Sequence, residues 1–214
     1  MVRASLVLVF AFAASPALAG SVSVTIADTN GTPAANAVVE LVSDVHAELP
    51  ASRVAGEAII DQRHETFIPL VSLIRKGGHV VFTNNDTTKH QVYSFSAIKQ
   101  FEFEIGQGQR SVPVVFDAPG VSAIGCNIHD QMITYVYVAA SPFAAMTDAK
   151  GRVEFDDVPA GAYHANVWHP QLTPGKPAPS QAVAVSTAPV AIAIPVSLMA
   201  VSMSGMKHMH MGKY

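Results

Sequence analysis

The 214-residue chain is poor in cysteine, in charged residues and in clusters of basic residues. Its one cysteine cannot form a disulfide within the chain, so packing must hold the fold, and this length can bury a sufficient core. Charged residues make up 14% of the sequence against 50% hydrophobic residues, which excludes a disordered chain. The 13 Lys and Arg residues form no run longer than two and are outnumbered by 16 Asp and Glu residues, so nucleic-acid binding is excluded as well.

The first 19 residues have the pattern of a secretory signal. An apolar stretch, residues 6–14, follows Arg3, and Ala17 and Ala19 form an A-x-A cleavage site. The alternative, an uncleaved anchor, is disfavoured because this stretch is about half of the roughly 20 residues that a membrane helix needs. We expect cleavage after Ala19 and a mildly acidic mature protein located in the periplasm.

A second apolar stretch, residues 181–201, has the periodicity of strands. It contains Pro189 and Pro195, and its Val, Ile and Ala residues alternate. It therefore predicts two terminal β-strands, and we do not expect the mature chain to span a membrane.

Short alternating stretches closed by turn residues fill most of the chain, and no stretch of 12 or more residues has a convincing helical face. The sequence therefore predicts an all-β fold built from β-sandwiches. The predicted strands are 21–27, 37–43, 71–74, 79–83, 91–96, 101–105, 112–116, 121–125, 134–139, 153–155 and 163–168.

Two separated segments, residues 25–41 and 147–163, resemble the opening and the later strands of the transthyretin-like, carboxypeptidase-regulatory-type domain. The resemblance implies one small sandwich split by an inserted domain, since insertion at a surface turn is tolerated when the host's chain ends lie close together. The expected division is a signal peptide at 1–19, the first transthyretin-like strands at 20–49, an inserted domain at 50–141, the remaining strands at 142–201, and a Met/His-rich tail at 202–214.

The lone cysteine stands in a short motif of soft metal ligands. Cys126, His129 and Met132 are spaced at i, i+3 and i+6 in a loop between two predicted strands, and His90 stands at the start of another strand. Two imidazoles with a thiolate and a weak axial thioether select copper, whereas a zinc site ordinarily has no thioether ligand. The remaining histidines are expected to be surface or packed residues: His46, His64, His79, His164 and His169.

The block from Phe67 to Val138 resembles a cupredoxin of the plastocyanin and amicyanin kind. The resemblance rests on the segment from Gly78 to Asn84, on His90 and on the C-x2-H-x2-M loop, and the mature chain is similar to bacterial plastocyanin-like or methylamine-utilisation proteins. It implies a cupredoxin Greek-key sandwich inserted in or packed on the transthyretin-like one, with one type 1 copper bound by His90, Cys126, His129 and Met132.

Two neighbours of the motif bear on how the ligands are held. Gln91 stands where cupredoxins commonly carry an Asn that ties the two ligand loops together, which puts this hydrogen bonding in question. Asp130 and Gln131 are interpreted as solvated loop residues, although Asp130 could orient the imidazole of His129 through its second nitrogen.

No catalytic triad, phosphate loop or carboxylate pair is found, so the sequence predicts a blue-copper one-electron carrier that serves a redox partner protein and is not an enzyme. A second hypothesis is copper storage or delivery, in which the tail captures the metal. A third is an interaction module whose transthyretin-like part docks to a larger complex. The tail's candidate ligands, suited to Cu(I) or Cu(II), are Met203, Met206, His208, Met209, His210 and Met211.

Overall fold

The computed structural model describes residues 18–44 and 56–199, and all of the named secondary-structure elements in these two ranges are β-strands. The all-β prediction is confirmed. The strands are β1 (Ala19–Asp28), β2 (Val38–Ser43), β3 (Glu57–Gln62), β4 (Phe67–Ile68), β5 (Val71–Arg75), β6 (Gly78–Asn84), β7 (His90–Ser96), β8 (Lys99–Ile105), β9 (Val114–Phe116), β10 (Gly120–Cys126), β11 (Ile133–Ala139), β12 (Ala144–Met146), β13 (Arg152–Pro159), β14 (Gly161–Trp168), β15 (Ser180–Val185) and β16 (Val190–Val196).

Two of the sheets are built from the strands at either end of the sequence, and we call this unit the flanking sandwich. One sheet has the order β13-β1-β16 and the other β12-β2-β14-β15. β1 alternates strictly, with Val22, Val24 and Ile26 fully buried, because successive side chains of a strand point to opposite faces. These residues pack in one core with Leu41 and Phe155.

The strands between β2 and β12 form the other two sheets, which we call the central sandwich. Its sheets have the orders β5-β11-β10-β7-β8 and β4-β3-β6-β9. A separate core fills the space between them, with Phe82, Phe116, Ile124 and Val136 buried. Each sandwich therefore has its own hydrophobic core.

The apolar stretch at 181–201 forms β15 and β16 through residue 196. Across the described ranges, no helix is long and apolar enough to cross a membrane. Residues 1–17 of the expected signal peptide, His46, and the Met/His-rich tail lie outside the described residues.

The two sandwiches meet where β11 leaves the central one. Trp168, at the end of β14, packs its ring against Tyr135 and Tyr137 of β11, with ring centroids 5.6 and 5.8 Å apart. The buried carboxylate of Glu40, on β2, accepts hydrogen bonds from the Tyr137 hydroxyl at 2.8 Å and from the backbone N–H groups of Ala140 and Ser141. The junction thus combines aromatic packing with a buried polar contact.

Candidate metal centre

Strand pairing in the central sandwich brings the separated ligand candidates to one end of the core. β7 and β10 run antiparallel with Cys126 opposite Val92, so the strand that begins with His90 lies beside the strand that ends with Cys126. His90 and Val92 are both buried, as expected for two residues on the same face of a strand. The loop that joins β10 to β11 then carries His129 and Met132 over the same end.

Three of the four predicted ligands meet at a single point. The ligand atoms of His90, Cys126 and His129 all lie within 4.8 Å of one another. Cys126 Sγ is 3.6 Å from His90 Nδ1, and the two imidazole rings are 5.1 Å apart with an interplanar angle of 58°. For comparison, in a tetrahedral zinc site, with bonds of roughly 2.3 Å to sulfur and 2.0–2.1 Å to nitrogen, the two ligand atoms would be about 3.6 Å apart.

The donor chemistry of this cluster fits a copper ion. Nδ1 of His129 is buried and has no hydrogen-bond partner among the described residues, an arrangement that costs free energy unless an electrophile accepts its lone pair. Cys126 is a buried free thiol, 3% exposed, and His90 is fully buried. Soft sulfur combined with two imidazoles is the ligand type that copper prefers.

Met132 is buried in the core that also contains Cys126. Met132 is 2% exposed, and Met132 and Cys126 both line an open surface pocket of about 240 Å³. The Met132 N–H donates to the His129 carbonyl at 3.0 Å, which closes the ligand loop into a tight turn. Met132 thus shares the core with Cys126, and its role as a ligand stays a prediction.

Gln91 joins the two ligand loops even though it replaces the expected asparagine. Its side-chain oxygen accepts from the Asn127 amide at 2.9 Å, and its backbone carbonyl accepts from the Asn127 N–H at 3.0 Å. Because Asn127 follows Cys126 and Gln91 follows His90, these two bonds fix the spacing between two ligand candidates. The longer side chain preserves the connection.

A second amide organises the loop that precedes His90. The Asn84 side chain is buried and donates to the carbonyls of Thr88 and Ile105 at 2.8 and 2.9 Å, while its oxygen accepts from the Asp86 N–H at 2.9 Å. The end of β6 is thereby tied to the loop that positions His90.

Sequence reasoning missed two carboxylates that contact the histidines. Asp86 Oδ2 lies 2.9 Å from His90 Nε2, and Glu65 Oε1 lies 3.5 Å from His129 Nε2. Asp130 is exposed, as predicted for a solvated loop residue, and it is Glu65 that lies at the second nitrogen of His129. The spacing of Asp86, four residues before His90, could have suggested its contact, whereas no local pattern links Glu65 to His129.

The electrostatics of Asp86 follow from its contacts. Partial burial raises the pKa of the Asp86 carboxyl. Hydrogen bonds from the Glu65 N–H, from His90 and from the His64 N–H lower it by more than burial raises it, so the pKa lies below its ordinary value of 3.8. Asp86 is therefore a carboxylate at neutral pH, able to accept a hydrogen bond from His90.

The ligand cluster includes none of the other described histidines. His79 pairs with Glu57 at 2.7 Å on the surface, and His164 lies 3.3 Å from Asp44. His169 is buried next to Trp168, and burial lowers the pKa of its imidazole below the usual 6.5. The ligand loop and its exit also expose two apolar side chains, Ile128 and Ile133, which are 52% and 42% exposed.

The chain is similar to proteins of solved structure, but it matches neither a protein-family model nor a curated protein. A copper-containing nitrite reductase from Thermus scotoductus SA-01 matches at 23% identity over 40% of this chain, with a TM-score of 0.37. The match spans 23% of that enzyme, less than a quarter of its length.

Two smaller proteins match over nearly their full length. Amicyanin from Paracoccus versutus is 19% identical over 47% of this chain and 92% of its own, with a TM-score of 0.36. A purple cupredoxin from Nitrosopumilus maritimus is 25% identical over 38% of this chain and 99% of its own, with a TM-score of 0.34. The solved structures that this chain resembles therefore include cupredoxins, each matched over less than half of the chain.

Proposed function

We propose that the protein is a periplasmic type 1 copper protein that carries one electron at a time to or from a redox partner protein. The observation that carries the proposal is the cluster of His90, Cys126 and His129, with a buried imidazole nitrogen that has no partner among the described residues. Copper bound there would supply a one-electron couple between Cu(II) and Cu(I). The proposal assigns no chemical conversion of a substrate to the protein.

The surroundings of the cluster support a carrier because they hold the ligand residues in place. Cys126 and Met132 pack in the hydrophobic core. His90 is within hydrogen-bond distance of Asp86, and the Asn127 amide donates to the Gln91 side chain. A ligand set held rigidly by its supporting contacts rearranges little when the charge of the metal changes. Small rearrangement favours rapid electron exchange.

The test is the spectrum and voltammetry of the copper-loaded protein. We expect one Cu(II) per chain, an intense thiolate-to-copper absorption in the visible and a reversible one-electron couple. Cys126→Ser should abolish the absorption, because the sulfur ligand is gone. Stoichiometric copper with unchanged colour in Cys126→Ser would refute the assignment of the thiolate.

A second candidate function, copper storage or delivery, is favoured by the Met/His-rich composition of residues 203–214. Removing these residues distinguishes the two. A carrier should keep its absorption and its reduction potential, whereas a delivery protein should lose copper uptake from a dilute Cu(I) supply. A chain shortened by the tail that takes up copper at the original rate would rule out the delivery role.

A further inference from the structure

His129 presents its two ring nitrogens to different surroundings. Nδ1 is buried without a partner among the described residues, and Nε2 lies 3.5 Å from Glu65 Oε1. The His129 side chain is 18% exposed and that of Glu65 is 53% exposed, so the carboxylate covers the solvent edge of the imidazole. A histidine that binds a metal through one nitrogen commonly gives the other to a carboxylate, which fixes the ring's orientation.

Glu65 reaches His129 from a two-residue hairpin turn between β3 and β4. Arg63 and Thr66 exchange both backbone hydrogen bonds, at 3.0 and 3.2 Å, and the two central residues, His64 and Glu65, both have φ of 52°. Such a turn normally carries asparagine or glycine, because other residues are disfavoured in the left-handed region. A histidine and a glutamate therefore need support to stay in this conformation.

That support comes from Asp86. Its carboxylate accepts the His64 N–H at 2.5 Å and the Glu65 N–H at 3.0 Å, and the same group lies 2.9 Å from His90 Nε2. One carboxylate thus holds both central residues of the turn and one histidine of the cluster. The position of Glu65 relative to His129 is consequently set by the loop that carries His90.

We infer that Glu65 is a positioning residue: it holds His129 with Nδ1 toward Cys126 and His90, and it places a negative charge beside the metal. The inference rests on the proposed copper site. A carboxylate beside the metal stabilises the more positive oxidised ion over the reduced one. Glu65 therefore lowers the reduction potential of the centre.

The experiment compares Glu65→Gln and Glu65→Ala with Glu57→Gln in the full copper-loaded chain. Glu65→Gln keeps the side-chain length and removes the charge, so the reduction potential should rise while the thiolate absorption stays. Glu65→Ala also removes the contact, so copper should dissociate about tenfold faster as well. Glu57→Gln removes the same charge at the other end of β3, where Glu57 pairs with His79, and should change neither quantity.

A second measurement uses the metal-free protein. Nitrogen-15 shifts of the His129 ring report which nitrogen carries the proton. In the natural protein the proton should reside on Nε2, facing Glu65, and Glu65→Ala should shift the population toward Nδ1. This readout would not change if Glu65 served only the stability of the turn.

The outcomes separate this inference from the proposed function. A natural protein that shows no thiolate-to-copper absorption overturns both. A natural protein with the absorption, together with a Glu65→Gln potential equal to that of Glu57→Gln and an unshifted His129 proton in Glu65→Ala, overturns the role of Glu65 alone.

Discussion

At the scale of single residues, the candidate centre combines positions that local spacing reveals with positions that only the fold brings together. Cys126, His129 and Met132 could be predicted because they lie within seven residues of one loop, and His90 because it begins a recognisable strand. Glu65 could not be predicted, since a hairpin turn between two other strands carries it to His129. Local chemistry therefore predicted the ligand candidates, and tertiary structure adds the groups that orient them.

Met132 gives the sharpest prediction at this scale. Met132→Leu removes the soft sulfur but nearly keeps the volume, so the unfolding free energy should fall by less than about 1.5 kcal/mol. If Met132 is a weak axial ligand, the copper should stay bound and its reduction potential should rise, because the axial donor would be lost. Met132→Gln supplies a harder oxygen donor that favours Cu(II), so the potential should fall. Voltammetry of the two variants measures both shifts.

The paired design contains its own control, because both substitutions change the same buried position in the core. Loss of all copper in both variants would mean that Met132 is a primary ligand. Potentials identical to that of the natural protein would mean that the thioether does not approach the metal.

At the scale of strands and turns, the alternating pattern predicted most elements but missed the ones with a weak pattern. β3 was not predicted, because Ile59 is 50% exposed while Ile60 is fully buried, so two adjacent apolar residues hide the alternation. Its partner, β6, was predicted and pairs with it in parallel. β4 and β12, with two and three residues, are too short to show any period.

Two matching D-x-x-G turns define the end of the flanking sandwich. Asp28 accepts the N–H groups of Asn30 and Thr32, and Asp148 accepts those of Lys150 and Arg152, all four at 2.8 Å. The turns end on glycines with φ of 83° and 70°, in the left-handed region that glycine tolerates. The second turn also contacts β1, since the Ile26 N–H donates to the Gly151 carbonyl at 2.7 Å.

These turns predict a pH dependence of stability. The backbone hydrogen bonds, from Thr32 to Asp28 and from Arg152 to Asp148, hold the pKa of each carboxyl below its ordinary 3.8. A lowered pKa stabilises the folded state above the unfolded value, and this contribution is lost as the pH falls through the folded value. The unfolding free energy of the natural protein should therefore exceed that of an Asp28→Asn, Asp148→Asn double variant by a constant amount between about pH 5 and 7.

Urea unfolding at several pH values tests this prediction. The difference between the two proteins should shrink below about pH 4, where the natural carboxylates become protonated. Asp156→Asn, on the exposed face of β13, serves as the matched control. A difference that stays constant down to about pH 2 would show that neither turn depends on the charge of its aspartate.

At the scale of the whole molecule, two sandwiches with separate cores are joined through a small junction. The strands of the flanking sandwich come from both ends of the described chain, and the central sandwich lies between them in sequence. The Glu40 side chain links β2 to the end of β11, and burial followed by the Glu40 charge raises the pKa of Tyr137 above its ordinary 10.0. Tyr137 consequently remains a hydrogen-bond donor to Glu40 at any physiological pH.

Glu40→Gln should therefore weaken the junction more than either core. The substitution removes the charge that accepts three hydrogen bonds, so the unfolding free energy should fall by about 2 kcal/mol.

Trp168 is the only tryptophan and packs on Tyr137, so its fluorescence reports the junction, while circular dichroism reports the strands of both sandwiches. In Glu40→Gln the fluorescence transition should precede the circular-dichroism transition, whereas in the natural protein and in Glu154→Gln, an exposed control, the two should coincide. Coincident transitions in Glu40→Gln at an unchanged free energy would show that the charge of Glu40 does not stabilise the junction.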